Sequence, residues 1–210
     1  MNRKIVTILS LIIGGEACIV MAGWIFHIHP LTHFLANEIN MKFPTAILFL
    51  ISAVGLYFIG KERYEDNEWA HLILPGVSLV IFLLSSALLA AGIFNTTTGI
   101  ESIYLETGAP PFDWGSGWPS LPTLINFILF GIVSLIALFF DTGFTKVHFF
   151  GYVISIVGLL AILGYLLRVP ALYYQFNATA IPMASNTSLL FVLLGIGLVL
   201  IGKMKRLHEV

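Results

Sequence analysis

The chain has 210 residues, of which 58% are hydrophobic and 10% are charged, and its formal net charge is −1. Soluble domains usually carry about 25% charged residues, so too little polar surface is present here to cover a single aqueous core. The near-zero net charge also argues against a nucleic-acid-binding protein, which would carry a basic face.

Six apolar runs have the length that a membrane span requires, which is about 20 helical residues for about 30 Å of hydrocarbon. In chain order they are 5–26, 44–60, 71–94, 122–140, 147–167 and 187–202. Helices are predicted because every backbone N–H and C=O must find its partner inside the segment. The first run begins after Arg3 and Lys4, as in a signal peptide, but it continues far enough to be interpreted as a retained helix. The sequence predicts an all-α integral membrane protein with one six-helix domain over residues 1–210.

The lysines and arginines near the spans predict the orientation in the membrane, because they concentrate in cytoplasmic loops. One side would hold Arg3, Lys4, Lys61, Arg63, Lys146, Lys203, Lys205 and Arg206, and the other Lys42 and Arg168. Both chain ends are therefore predicted to be cytoplasmic. Three external loops would cover about 27–43, 95–121 and 168–186.

Helices two, four and six begin alike, with a Thr, a Phe four residues later and a small residue four further on. The three sets are Thr45, Phe49 and Ala53; Thr123, Phe127 and Gly131; and Thr187, Phe191 and Gly195. This spacing places the three residues of a set on one helix face. The small residue there allows a neighbouring helix to approach closely. Each copy alone is compatible with an ordinary helix start, but the threefold recurrence favours an internal repeat.

The ends of helices one, three and five also correspond, as Gly23-Trp24, Gly92-Ile93 and Gly164-Tyr165. The predicted unit is therefore a helix, an external loop and a returning helix. It occurs three times in the same orientation, over about 1–60, 69–140 and 146–203.

The first and third units carry two motifs at their helix boundaries. These are Gly23-Trp24-Ile25-Phe26 with Met41-Lys42-Phe43-Pro44-Thr45, and Gly164-Tyr165-Leu166-Leu167 with Met183-Ala184-Ser185-Asn186-Thr187. Both resemble the multi-helix membrane modules at the N-terminus of many bacterial sensor histidine kinases and diguanylate cyclases. Those modules carry a Gly-aromatic helix end and a Met-x-x-Asn-Thr-Ala helix start. The middle unit, with Trp118-Pro119 and Pro122-Thr123, resembles a degraded copy of the same start.

The resemblance implies a sensory or ligand-binding membrane module. In that family a PAS, kinase or cyclase domain follows the last helix, whereas this sequence has only residues 203–210 after it. We therefore expect a non-catalytic module, not an enzyme, that acts through another membrane or cytoplasmic protein. The alternative is an accessory subunit of a larger membrane complex, which could be a metalloenzyme. A transporter is a third interpretation, for which Glu16 and Pro75 are the features near mid-membrane.

Glu16 is the one carboxylate deep within a predicted span. A charge at that depth is costly, so the side chain should face the bundle interior, pair with another group or be protonated. The functional interpretations are a proton relay, a cation site or a ligand contact. The structural alternative is a protonated Glu16 that makes one hydrogen bond between helices, with Gly14 and Gly15 allowing close packing.

His27, His29 and His33 follow one another at the external end of helix one. Imidazole is a common ligand of zinc, copper, iron and nickel, so the sequence predicts a transition-metal site here. The alternative is that these histidines contact water and lipid head groups at the interface.

The longest external loop, about 95–121, contains Asp113, Trp114 and Trp118. Tryptophan is common at membrane interfaces, where one side of the ring is apolar and the other is hydrated. The functional alternative is a loop that covers a pocket between the repeats. We therefore predict Asp113, Trp114, Trp118 and Glu16 as ligand-binding residues.

Overall fold

The computed structural model describes residues 2–33, 39–65, 68–94, 96, 98–100, 103, 117–139, 143–175 and 181–203. Across these residues the regular structure is entirely helical. The six α-helices are α1 (Asn2–Ile25), α2 (Phe43–Glu65), α3 (Glu68–Phe94), α4 (Leu121–Phe139), α5 (Gly143–Leu167) and α6 (Ser185–Gly202). Two short 3-10 helices, His29–Leu31 and Pro170–Tyr173, follow α1 and α5. All six α-helices are long and apolar enough to cross a membrane, as the sequence predicts.

The helices form three hairpins, α1–α2, α3–α4 and α5–α6, arranged in a closed ring. Within each hairpin the two helices pack against each other, and α2 contacts α3, α4 contacts α5, and α6 contacts α1. Helix α2 also contacts α4 and α6. In the most apolar stretch of α2, α4 and α6, 67%, 50% and 56% of the residues are buried, against 33%, 33% and 28% for α1, α3 and α5. The even-numbered helices are therefore the inner ones.

Three phenylalanines, Phe49, Phe127 and Phe191, meet at the centre of the ring. One comes from each inner helix, and all three are fully buried. Their ring centroids lie 4.8 Å (Phe49 to Phe127), 4.7 Å (Phe49 to Phe191) and 5.0 Å (Phe127 to Phe191) apart. Tilted and edge-to-face arrangements at such distances add to the stability that burial alone provides. These are the phenylalanines of the three helix starts.

The α5–α6 interface is close enough that only glycine fits at several positions. A Cβ atom at Gly151 would lie 2.8 Å from the carbonyl oxygen of Gly195, and one at Gly158 would lie 2.5 Å from the carbonyl oxygen of Ser188. A Cβ at Gly195 would collide with the Ser155 hydroxyl and the Gly151 carbonyl. Small residues that allow such backbone contact are typical of helix pairs in membranes.

We call the end of the bundle where α1, α3 and α5 finish the distal end, and the opposite end, where α1 begins, the proximal end. At the distal end, α1 and α5 are terminated alike. The amide of Ile28 donates to the Gly23 carbonyl at 2.8 Å, and the amide of Val169 donates to the Gly164 carbonyl at 2.9 Å. Bonds of this span close a helix whose last residue adopts the left-handed conformation.

An aromatic side chain next to each of these glycines holds the start of the following inner helix. Trp24 donates from Nε1 to the Met41 carbonyl at 2.8 Å, and the Tyr165 hydroxyl donates to the Met183 carbonyl at 2.6 Å. The Gly-aromatic pair and the methionine are separate motifs in the sequence, and in the structure they are joined by a hydrogen bond from the aromatic side chain to the methionine carbonyl. This contact connects α1 to α2 and α5 to α6.

Candidate functional site

The residues predicted as ligand-binding are not assembled into one site within the described part of the chain. Glu16 is half-buried on α1, and no hydrogen bond or ion pair joins its carboxylate to another described residue. Trp118 is half-buried immediately before α4. Asp113 and Trp114 lie outside the described residues. Glu16 and His27 are eleven positions apart, which separates their levels in the bundle by roughly 16 Å at 1.5 Å per helical residue.

The structure describes the side chains of two of the three histidines in the predicted metal site. His27 is exposed, and His33 is half-buried with its Nδ1 atom lacking a hydrogen-bond partner. The side chain of His29 lies outside the described part of the structure. Among the described residues, no three His, Cys, Asp or Glu side chains are grouped as metal ligands would be.

Metal binding at these histidines stays a prediction. We expect the purified protein to bind a transition metal weakly, and a variant with alanine at positions 27, 29 and 33 to lose this binding. Elemental analysis of both proteins, purified without chelator, is the measurement. Equal metal content in the two proteins would contradict the prediction that these histidines bind a metal.

His27 has a structural role that its sequence pattern does not reveal. It adopts a φ of 55°, and Arg168, at the end of α5, adopts a φ of 56°. Both residues occupy the left-handed position that closes their helix, where glycine is strongly preferred. A residue with a Cβ atom at each of these positions therefore lowers the stability of the protein relative to glycine.

Glycine at these two helix ends is expected to stabilise the protein. His27→Gly and Arg168→Gly should each raise the free energy of unfolding by about 1 kcal/mol, because the left-handed conformation costs a residue with a Cβ that much. Thermal unfolding in detergent measures the effect. Gly99, which already has a φ of 82° and open space around its Cα, offers a control: Gly99→Ala should destabilise, and a stabilising effect there would contradict the argument.

Asn126 is the most unusual side chain of the described core. It lies on α4 with a relative exposure of 1%, and neither its amide nitrogen nor its amide oxygen has a hydrogen-bond partner. A buried amide without partners costs about 1–3 kcal/mol, and more where no water can reach it. Such groups are almost always satisfied in proteins, so the unpartnered amide marks this position as a candidate binding site for a polar molecule.

The corresponding positions in the other hairpins identify Asn126 as an exception. Asn126 immediately precedes Phe127, whereas Leu48 and Leu190 precede Phe49 and Phe191. Both leucines are buried. The Thr, Phe and small-residue pattern does not include Asn126, although the residue before each Phe distinguishes the second hairpin from the other two.

Three serine hydroxyls in the core also lack a partner, but they carry less weight than Asn126. Ser52 on α2 and Ser78 and Ser85 on α3 are buried, with no hydrogen bond at Oγ. A helical serine can rotate to donate to the carbonyl four residues earlier, as Ser134 does to Phe130 at 2.9 Å. An asparagine amide cannot satisfy both of its polar atoms in that way.

The distal end holds two further polar groups that are buried. Asn186 is fully buried and donates from Nδ2 to the Thr32 carbonyl at 3.2 Å, which ties the start of α6 to the loop after α1. Burial lowers the pKa of the Lys42 ammonium from 10.5 to about 8, so Lys42 loses its proton far more readily than an exposed lysine.

Comparisons with known proteins do not assign this chain to a family. The resemblance to bacterial sensor modules rests on helix-boundary motifs, and it stays a hypothesis. No protein-family model matches the sequence, and no curated protein or solved structure matches it either.

Proposed function

We propose that this protein is a non-catalytic sensory module of the cytoplasmic membrane, which binds a small polar ligand inside its helix bundle and acts through a partner protein. The observation that carries the proposal is the buried, unpartnered amide of Asn126. A ligand, or a water molecule held with it, would supply the hydrogen bonds that the described protein atoms do not. The ligand would be a neutral molecule able both to donate to the amide oxygen and to accept from the amide nitrogen.

Insertion in a membrane is supported by the outer surface of the bundle. Large apolar side chains point outward from each outer helix, with relative exposures of 69% for Leu11, 70% for Leu72 and 74% for Leu166. Apolar surface of this extent would be unfavourable in water and favourable against lipid. The positive charges at the proximal end favour a cytoplasmic location for both chain ends.

A threefold repeat is supported by contacts that recur at corresponding positions. The three phenylalanines of the helix starts meet at the centre, and the Gly-aromatic helix ends of α1 and α5 make the same two kinds of hydrogen bond. Against this common plan, Asn126 belongs to one unit alone. A polar substitution in a single unit is what a binding site built into a symmetric scaffold requires.

Glu16 favours a second candidate function, an accessory subunit of a larger membrane complex. Its carboxylate is half-buried on an outer helix and has no partner among the described residues. An ionisable group at that depth normally pairs with another polar group. A neighbouring membrane protein would provide such a group.

The first experiment is purification of the native protein from source membranes in a mild detergent, together with an Asn126→Leu variant. Chains and small molecules that co-purify are identified by mass spectrometry. We expect a kinase or cyclase partner, and a small polar molecule that the wild type retains and the variant loses. Subunits of a membrane enzyme, found instead, would establish the accessory function. A wild type without any bound molecule would contradict the ligand-binding proposal.

Glu16→Gln separates the two candidates. In a sensory module that does not use Glu16 in assembly, the variant should co-purify with its partner as the wild type does. In an accessory subunit whose carboxylate pairs with a neighbouring chain, recovery of that chain should fall several-fold. The amount of partner recovered per mole of this protein is the measurement.

A further inference from the structure

A long apolar groove runs between α1 and α2 on the outside of the first hairpin. Its volume is about 680 Å³, and its lining is mostly apolar. Gly14, Gly15 and Cys18 line it from α1, and Leu50, Ala53 and Tyr57 from α2. A Cβ atom at Gly15 would meet no atom within 4 Å, so the groove is open beside this glycine.

A smaller basic pocket continues the groove towards the proximal end. It has a volume of about 140 Å³ and is lined by residues that include Arg3, Lys61 and Tyr64. Thr7 and Tyr57 line both the groove and the pocket, so the two lie next to each other. The Lys61 ammonium lies 5.3 Å from the Tyr57 ring centroid, and the Arg3 guanidinium lies 5.9 Å from that of Tyr64. Aromatic rings thus hold both cations at the end of the groove.

The groove exists because the first hairpin lacks the glycine pairs that close the third. Ser10 and Gly151 correspond because each lies 13 residues before the equivalent helix ends Gly23 and Gly164. Ala53 and Gly195 correspond because each lies eight residues after the equivalent Thr45 and Thr187. In the third hairpin these glycines bring the two backbones into contact. In the first hairpin side chains stand at the same positions, and the space beside Gly15 is unfilled, whereas a Cβ atom at Gly14 would contact that of Ala53 at 3.4 Å.

We infer that this groove and pocket bind an anionic phospholipid, with an acyl chain along the groove and the phosphate between Arg3 and Lys61. The inference rests on the proposed insertion in a membrane. An apolar channel that ends at two cations complements an amphiphile with a negative head group. A transmembrane helix of a partner would not use the two cations unless it carried an acidic group at that level. Basic residues near the cytoplasmic surface attract anionic lipids by the same electrostatics.

Native mass spectrometry of the full chain in detergent, titrated with phosphatidylglycerol or phosphatidylcholine of identical acyl chains, tests the inference. We expect phosphatidylglycerol to bind about thirtyfold more tightly, since each of the two cations near the head group is worth about 1 kcal/mol and every 1.4 kcal/mol is a factor of ten. Arg3→Gln with Lys61→Gln should abolish this preference. Gly15→Leu should weaken the binding of both lipids, because its side chain would occupy the groove.

Two matched variants serve as controls. Lys203→Gln removes a charge at the same end of the bundle but outside the pocket. Gly76→Leu introduces the same side chain at a glycine on α3 that is likewise open, with no atom within 4 Å of its Cβ. Neither control should change lipid binding. Equal binding of the two lipids by the wild type, or loss of binding in the controls as well, would overturn the inference.

Two additional measurements keep this inference separate from the proposed function. Alkaline extraction of membranes shows whether the protein is an integral membrane protein. Release of the protein into the soluble fraction would overturn the proposed insertion in a membrane. An integral protein without a lipid preference would overturn the lipid site alone. Thermal unfolding of every variant identifies those that fail to fold. If the double variant fails to fold, Lys61→Gln alone changes a single, partly exposed side chain and should still reduce the preference for phosphatidylglycerol. Glycerol phosphate, added in place of lipid, should not bind measurably, and its binding would identify a phosphate site instead.

Discussion

Asn126→Leu is expected to produce a protein that is more stable and has lost its ligand. Leucine removes a buried amide without partners, which should raise the free energy of unfolding by about 1–3 kcal/mol. For a chain of this size that corresponds to an increase in Tm of about 2–4 °C per kcal/mol. The two corresponding positions already hold leucine, Leu48 and Leu190, so the side chain suits this packing environment. Thermal unfolding in detergent, with the ligand removed, measures the gain.

The reciprocal variants Leu48→Asn and Leu190→Asn provide the control for Asn126→Leu. Each introduces an unpartnered amide into a well-packed apolar position, and each should destabilise the protein by several kcal/mol. If Asn126→Leu destabilised the protein to a similar degree, Asn126 would have protein partners of its own. The ligand-binding proposal would then lose the observation that carries it.

Gly195→Ala should be among the most destabilising single substitutions in the chain. The new Cβ would collide with the Ser155 hydroxyl and the Gly151 carbonyl, so α5 and α6 would have to separate. Overpacking of this kind typically costs about 1–3 kcal/mol, and the backbone atoms involved cannot move aside as a flexible side chain can. The free energy of unfolding, measured in detergent, should fall accordingly.

Gly15→Ala is the matched control for Gly195→Ala, since the chemical change is identical. Its Cβ would enter open space, and alanine favours a helix over glycine by about 0.5–1 kcal/mol. The control should therefore be neutral or slightly stabilising. Comparable destabilisation by both substitutions would mean that the backbones of α5 and α6 are not in contact at Gly195.

The functional residues could be predicted only in part, because burial depends on which helix faces meet. Asn126 stands in an apolar run, and its sequence neighbours do not indicate whether it faces lipid, a second helix or a loop. His27 has the residue type and spacing of a metal ligand, yet its backbone has a left-handed conformation set by the packing at the end of α1. The groove beside Gly15 depends on the distance between α1 and α2, which arises from pairs of residues far apart in the chain.

The six helices could be predicted from the amino-acid sequence, since a run of about 20 apolar residues is a local property of the chain. The sequence also indicated which residues recur at the helix starts. The helix ends were less predictable: α2 continues to Glu65, five residues beyond the apolar run, because charged residues such as Lys61 and Glu62 favour a helix without being apolar. The tertiary structure alone decided that α2, α4 and α6 are the inner helices and that their phenylalanines meet. It also left one amide unpartnered in the core and one hairpin open, because side-chain contacts between distant segments, rather than local composition, set these features.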